Sequence, residues 1–273
     1  IIQSCRPKEV ELLNFLSFFL NEKPKIILRI LYPPKKSGFK NFYYYVDELK
    51  KKGFKIEIFT EVETIKDYIK KRSSYDVENF TQIYKFYERL NTDKYTIGFL
   101  GESRIDKGFN KLPGLIRLAK KKIDNINIIV QFSEKTYSET EKYKNEIIEL
   151  SKKNKNIKIV YGYLDYYDYR KLLKKINIMP ILYDPDKLNF VGSGLFYSCI
   201  THEIPIIIPK SASLIKNDLK FKSFLEVNTL DEYADCIEKI IKNYDFYLKE
   251  CKKLSKYYKE RINSDPLVKS VVS

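Results

Sequence analysis

Residues 177–209 read NIMPILYDPDKLNFVGSGLFYSCITHEIPIIIP: an apolar run, a polar loop, a Gly192-Ser193-Gly194 turn, a short helical stretch and a second apolar run. A buried strand that passes through small residues into a helix and on to another buried strand is a βαβ unit. It constrains the chain to a parallel sheet covered by helices on both faces. The turn in such a unit lies at the carboxyl end of a strand and the start of a helix, where open α/β sheets hold anions. Glycine usage points to the same place. The chain has nine glycines in 273 residues, well under the ordinary share of about 7%. Five of them fall in two windows, Gly98, Gly101 and Gly108 at one strand-to-helix turn and Gly192 and Gly194 at the other. Glycine kept there serves a tight turn or the close approach of a ligand to the backbone.

The same alternation runs through the rest of the chain. The first third predicts a strand over 1–5, a helix over 8–20 with apolar residues at 12, 13, 15, 16, 19 and 20, and a strand over 26–32 stopped by Pro33-Pro34. A helix over 42–52 ends at Gly53, and a strand over 54–59 precedes a Thr60-Glu61-Val62-Glu63 capping box and a helix to 72. Residues 73–94 lose the rhythm and read as an interdomain connection. From residue 95 it returns: strands over 96–101, 126–132, 157–161, 178–182 and 204–208, and helices over 112–119, 138–150, 165–176 and 195–202. The helix over 138–150 is expected to be capped by Ser138-Glu139-Thr140-Glu141. A short helix from Ser211, an apolar stretch over 221–227, a helix opened by a Thr229–Glu232 capping box and a final Lys/Tyr-rich helix over 244–262 complete the chain.

Composition narrows the functional classes. At 44% hydrophobic and 15% aromatic residues the chain builds cores, and no run approaches eighteen apolar residues. The opening IIQSCRPKEVE has no initiator Met and no signal-peptide layout; it reads as the middle of a strand, so the chain is expected to be a fragment of a cytoplasmic protein. The net charge of +15 comes from 43 lysines and only 8 arginines, clustered as solvated helix-end runs such as Lys50-Lys51-Lys52 and Lys120-Lys121-Lys122. That pattern argues against a dedicated nucleic-acid surface and leaves open peripheral contact with an anionic membrane at the inner face. Cys5, Cys199, Cys236 and Cys251 have no metal-ligand spacing and read as reduced thiols.

The first glycine turn, GFLGESRIDKGF over 98–109, sets Arg104 three residues before Lys107. A guanidinium fork and an ammonium are the pair that a diphosphate asks for. The second turn offers backbone N–H groups at Ser193 and Gly194 and the Ser193 hydroxyl. Neither turn is a Walker A motif or a GxGxxG fingerprint, which disfavours NTP hydrolysis and hydride transfer. Asp184 and Asp186 flank Pro185 and read as turn formers, His202 and Glu203 as the end of a helix, and Arg29 as a distant candidate for acceptor contact.

Several pieces, in order, resemble the donor-binding domain of GT-B glycosyltransferases of the family 4 type. They are Gly101-Glu102-Ser103-Arg104 through Lys107-Gly108-Phe109, Tyr161-Gly162-Tyr163, the run 178–185, Gly192-Ser193-Gly194-Leu195-Phe196 and Pro205–Pro209. The resemblance implies an α/β architecture of two Rossmann-like doubly wound parallel-sheet domains, the first incomplete. It divides the chain into a partial acceptor-side domain (1–75), a connection (76–94), a nucleotide-sugar-binding domain (95–243) and a C-terminal helix and tail (244–273). It further implies Arg104 and Lys107 as catalytic cations on the donor diphosphate, with Gly101, Ser103, Gly162, Tyr163, Gly192, Ser193, Gly194 and Ser198 contacting substrate. No metal or other cofactor is expected beyond the nucleotide-diphosphate sugar itself, and the acceptor is a glycan, a lipid-linked saccharide or a protein. At the two positions where the family carries Glu, this chain has Phe190 and Ser198. That departure raises two rivals to retaining sugar transfer: a degenerate relative that binds nucleotide sugars or glycans without turnover, and a basic nucleic-acid or membrane-surface module.

Overall fold

The computed structural model describes residues 6–31, 36–80, 85–87, 94–133, 137–185, 193–210, 218 and 220–272. They form two compact units. One comprises residues 1–82, 189–192 and 261–273, the other residues 83–188 and 193–260.

The first unit runs α1 (Pro7–Leu16), β1 (Ile26–Ile30), α2 (Lys36–Lys51), β2 (Ile56–Thr60), α3 (Glu63–Lys70) and β3 (Val77–Asn79). The strands form a parallel sheet in the order β1-β2-β3, so β3 lies inside the stretch read from sequence as connection. Leu28, Ile30, Phe42, Val46, Ile65 and Ile69 make its core. α2 closes at Gly53, with the Gly53 N–H on Lys50 O and the Phe54 N–H on Leu49 O, as the sequence leads one to expect. The capping box at Thr60 does not form. Thr60 is instead the last residue of β2 and is fully buried, its carbonyl takes the Phe80 N–H, and Val62 precedes the helix. The C-terminal helix (Pro266–Val272) returns to this unit, where Leu267 packs with Ile27, Phe59 and Phe80.

One expectation fails in an informative way. The helix over 8–20 stops at Leu16 and gives way to a 3-10 turn over Ser17–Phe19. Val10 is buried and Leu13 packs on the core, which uses the one face that α1 can bury. Leu12, Phe15, Leu16 and Phe19 share another face and stand exposed.

The second unit runs β4 (Thr96–Phe99), α4 (Leu112–Lys122), β5 (Asn127–Phe132), α5 (Glu141–Lys153), β6 (Ile157–Tyr161), α6 (Tyr166–Leu173), β7 (Met179–Pro180), α7 (Gly194–Thr201), β8 (Ile206–Pro209), β9 (Phe224–Val227), α8 (Leu230–Lys242) and α9 (Tyr244–Arg261). Two parallel sheets, β4-β5-β6 and β7-β8-β9, join where Ile97 bridges Ile178 and the Gly98 N–H meets Ile178 O. The continuous order is therefore β6-β5-β4-β7-β8-β9, the doubly wound order in which the winding reverses between the first and fourth strands. The inner stripe of α4 (Leu112, Leu115, Ile116, Ala119) is buried as its spacing requires. At α8, Thr229 Oγ1 accepts the Glu232 N–H and Glu232 accepts the Asn228 N–H, so the cap read from sequence is made. At α5 it is not. Ser138–Thr140 form a 3-10 turn, and the Thr140 hydroxyl donates to Tyr137 O rather than capping the helix. The expected strand over 1–5 and the helix from Ser211 lie outside the described residues. Among the described residues, no helix is long and apolar enough to cross a membrane.

Candidate functional site

The reversal of winding between β4 and β7 leaves a crevice beyond their carboxyl ends, and the first glycine turn fills its rim. The chain leaves β4 through Gly101, passes through 3-10 turns over Ile105–Lys107 and Phe109–Lys111, and enters α4. Gly108 sits at φ 77°, and a Cβ there would lie 2.2 Å from the carbonyl oxygen of Leu182. Only glycine allows this turn to close on the strand end beside it. Asp184 N–H donates to Asp106 O at 3.1 Å, a second tie between the two loops.

That closeness decides the fate of the two cations. The ammonium of Lys107 lies 3.9 Å from the centroid of the Tyr183 ring. Lys107 makes no ion pair among the described residues, and burial pulls its pKa below the ordinary lysine value, while the charge of Asp106 pulls the other way. Tyr183 in turn interacts through its hydroxyl with Ser193, and burial raises its own pKa. Lys107, Gly108, Tyr183 and Leu195 line one small cavity, so the first turn and the start of α7 border the same space. Arg104 is placed otherwise. Its Nε and Nη2 grip Asp106 at 2.9 and 2.5 Å, and its Nη1 reaches Glu102 at 2.9 Å. The Glu102 hydrogen bond is the leading cause of a raised Arg104 pKa, and the guanidinium lines neither this cavity nor the cleft beside it. The matched pair of cations read from sequence is thus one cation at the cavity and one held by two carboxylates of its own turn.

Other predicted residues divide in the same way. Gly101, at φ 121°, faces open space, and Gly162, Tyr163, Gln131 and Tyr169 join it around a cleft of about 520 Å³. Tyr163 stands 84% exposed at its edge. Ser103 is fully buried. It exchanges hydrogen bonds with Ser133, each backbone N–H donating to the other's hydroxyl at 3.1 Å, so it ties β4 to β5 rather than meeting a ligand. Ser193 is buried too, its Oγ accepting the Phe196 N–H at 3.3 Å as the cap of α7. The N–H groups of Gly194 and Leu195 in the first turn of α7 meet no acceptor among the described residues. Ser198 lies within α7, where its carbonyl serves Thr201 Oγ1 and His202 Nδ1. Gly192, Asp186 and Phe190 lie outside the described residues.

His202 ends α7, buried, its ring 4.6 Å from that of Tyr87. Glu203 turns the chain with φ 55°, as a helix end requires. Arg29 lies inside the first unit, its Nη2 3.1 Å from Glu61 and its guanidinium over the ring of Phe80.

One residue of the cleft escaped the sequence. Gln131, on β5, accepts the Gly101 N–H at 3.2 Å and donates to Gly162 O at 3.0 Å, bridging the two glycine turns. A polar side chain in an otherwise apolar parallel strand (IIVQF, 128–132) was its only signal. Among the described residues, no group of three or more His, Cys, Asp or Glu side chains gathers as a metal site.

No family model matches this sequence, and no curated protein does. By structure the chain is similar to Anabaena HepE in complex with UDP, with a TM-score of 0.70 and 10% identity over 93% of this chain and 72% of that one. It is similar to sucrose-phosphate synthase from Thermosynechococcus elongatus, at 0.63 and 11% identity over 92% and 73%. It is similar also to S. aureus TarM, solved with UDP, at 0.62 and 15% identity over 88% and 48%. The chain therefore spans about half the length of TarM. These likenesses establish the fold: Rossmann-like parallel-sheet units similar to those of the GT-B glycosyltransferases.

Proposed function

We propose that this GT-B chain moves a sugar from a nucleoside-diphosphate donor to a glycan, lipid-linked or protein acceptor, with retention of configuration, in the manner of the family 4 enzymes it resembles. The observation that carries the reading is the partly buried ammonium of Lys107, without an ion pair among the described residues, at the winding reversal and across one small cavity from the start of α7. In sugar transfer the charge that grows is on the departing diphosphate. A preorganised, partly buried cation, joined by the N–H groups of Gly194 and Leu195, stabilises that charge more than it stabilises the bound donor. The neighbouring cleft, floored by Gly101, Gln131 and Gly162 and edged by Tyr163, is open enough for a nucleoside. The HepE and TarM complexes with UDP support this assignment of roles by analogy of fold.

A second reading is binding without turnover. It is favoured by Ser198, which stands on α7 where the resemblance leads one to expect a carboxylate.

Calorimetric titration with UDP, GDP and ADP tests the first claim. One of them is expected to bind, and Lys107→Ala to weaken it by at least about tenfold, the lower bound for a charge-assisted hydrogen bond. If none binds, or if Lys107→Ala leaves the affinity unchanged, the donor-site assignment is wrong. Release of free sugar or transfer to an added acceptor, assayed on the full-length protein, separates turnover from mere binding.

A further inference from the structure

Residues 161–167 place four tyrosines in seven positions, and all four are exposed: Tyr161 at the end of β6, Tyr163 just past it, Tyr166 and Tyr167 in the first turn of α6. α6 buries Leu172 and Leu173 on its inner face and carries Tyr167 on the outside. The rings are held in place. The Tyr166 hydroxyl meets that of Tyr87 at 2.6 Å, and the Arg170 guanidinium lies over the Tyr87 and Tyr166 rings at 3.7 and 5.2 Å. Tyr167 meets Tyr166 edge-on at 5.7 Å. Tyr163 and Tyr166 line the open cleft described above, and Tyr167 continues the aromatic surface beyond it. Flat, rigid rings with a hydroxyl at the edge give contact area at small cost in side-chain entropy.

Charge and area select the partner. The chain carries +15, yet this surface is close to neutral. Asp168 pairs with Lys171 at 3.1 Å, Arg170 is held over the rings, and the described residues lining the cleft include Glu102 and Asp165 but no lysine or arginine. Nucleic acid and anionic lipid both call for cations at the point of contact, so neither is matched here. The rings of Tyr163, Tyr166 and Tyr167, at 84%, 58% and 69% exposure, offer on the order of 400 Å². That is about half of what a stable protein interface takes from each partner. It suits a few sugar rings, which set an apolar C–H face on an aromatic ring and turn their hydroxyls to tyrosine oxygens and to carboxylates such as Asp165.

We propose that Tyr163, Tyr166 and Tyr167 form a platform that holds a neutral glycan along the outer rim of the nucleoside cleft, at the same time as the nucleotide. This inference goes beyond the donor-site reading and stands without it. A glycan held there is kept at high local concentration beside the cleft, with no part in the chemistry itself.

Saturation-transfer NMR with neutral hexasaccharides of glucose, mannose and N-acetylglucosamine tests it. At least one is expected to receive saturation at its ring C–H protons, at low and high salt alike, and to keep it when UDP is added in excess. Tyr167 is exposed and lies outside the cleft. Tyr167→Ala should therefore keep its circular dichroism and its UDP affinity while losing roughly tenfold in glycan affinity. Tyr167→Phe retains the ring and should retain most of the binding. If none of the hexasaccharides binds, if UDP displaces the one that does, or if Tyr167→Ala leaves its affinity unchanged, the platform is overturned. Salt-sensitive binding of oligo(dT) that Tyr167→Ala abolishes would assign the rings to nucleic acid instead, and a dimer that the same variant dissolves would assign them to a second copy. Hexasaccharide binding by a protein that takes no nucleoside diphosphate would uphold the platform and sink the donor site alone.

Discussion

Gln131→Leu is the most direct test of how the cleft proposed for the nucleoside is held open. The side chain makes two hydrogen bonds, one from the Gly101 N–H at 3.2 Å and one to Gly162 O at 3.0 Å. The partners fix the amide's orientation, because an N–H requires the oxygen and a carbonyl requires the NH₂. Leucine keeps most of the volume and removes both bonds. Each is worth about 1 kcal/mol net, so up to about 2 kcal/mol is at stake. Gly101 is exposed, and water recovers part of that loss in the free protein. The expected outcome is about 1 kcal/mol off the stability of the second unit. A further fall of roughly tenfold in UDP affinity is expected, because the ligand must then order two turns that Gln131 had already aligned. Urea denaturation reads the first quantity and calorimetry the second. Gln131→Glu serves as the companion: it keeps an acceptor for Gly101 but sets a carboxylate oxygen against the Gly162 carbonyl, and should bind UDP less well than the leucine variant. If both variants bind UDP like the parent protein, the bridge between the glycine turns does not shape the cleft.

Other outcomes follow from the same geometry. Gly108→Ala forces a Cβ onto Leu182 O from a left-handed backbone, and should cost about 3 kcal/mol or more in urea denaturation. Arg104→Ala removes a partly exposed side chain and should cost no more than about 1 kcal/mol. It should also weaken UDP binding less than Lys107→Ala does, and the reverse ranking would refute the division between the two cations. On the proposed donor-site reading the ammonium must be charged, so UDP affinity should hold level and then fall as pH rises through the Lys107 pKa. Burial lowers that pKa, which places the fall in the free protein below the ordinary lysine value of about 10.4, and Lys107→Arg should abolish it over the same range.

Much of the fold was legible because a parallel sheet writes itself as apolar runs. Residues 126–132 and 204–208 admit no other reading, and α4 reveals its buried stripe by period alone. Caps were less legible. The S/T-x-x-E spacing recurs at Thr60, Ser138 and Thr229, but only at Thr229 does the backbone leave the hydroxyl at the helix mouth; at Thr60 the sheet claims the residue. The site was half legible. Spacing along the turn put Arg104 and Lys107 together; tertiary packing then set Tyr183 under the lysine, while two carboxylates of the same turn, Glu102 and Asp106, took the arginine. The outward stripe of α1 has the same period as an inward one, so pattern alone could not tell them apart.

The return of the C-terminal helix to the first unit carries a consequence for biosynthesis. Leu267 completes a cluster with Ile27, Phe59 and Phe80, and Lys25 and Glu57 both reach Ser270. Translation delivers the three strands of that unit early and this helix only after the whole of the second unit has been made. The half that leaves the ribosome first is therefore the last to close, and until then Ile27 and Phe59 wait uncovered. A chain truncated after residue 260 should expose that sheet face to chaperones while its second unit is complete.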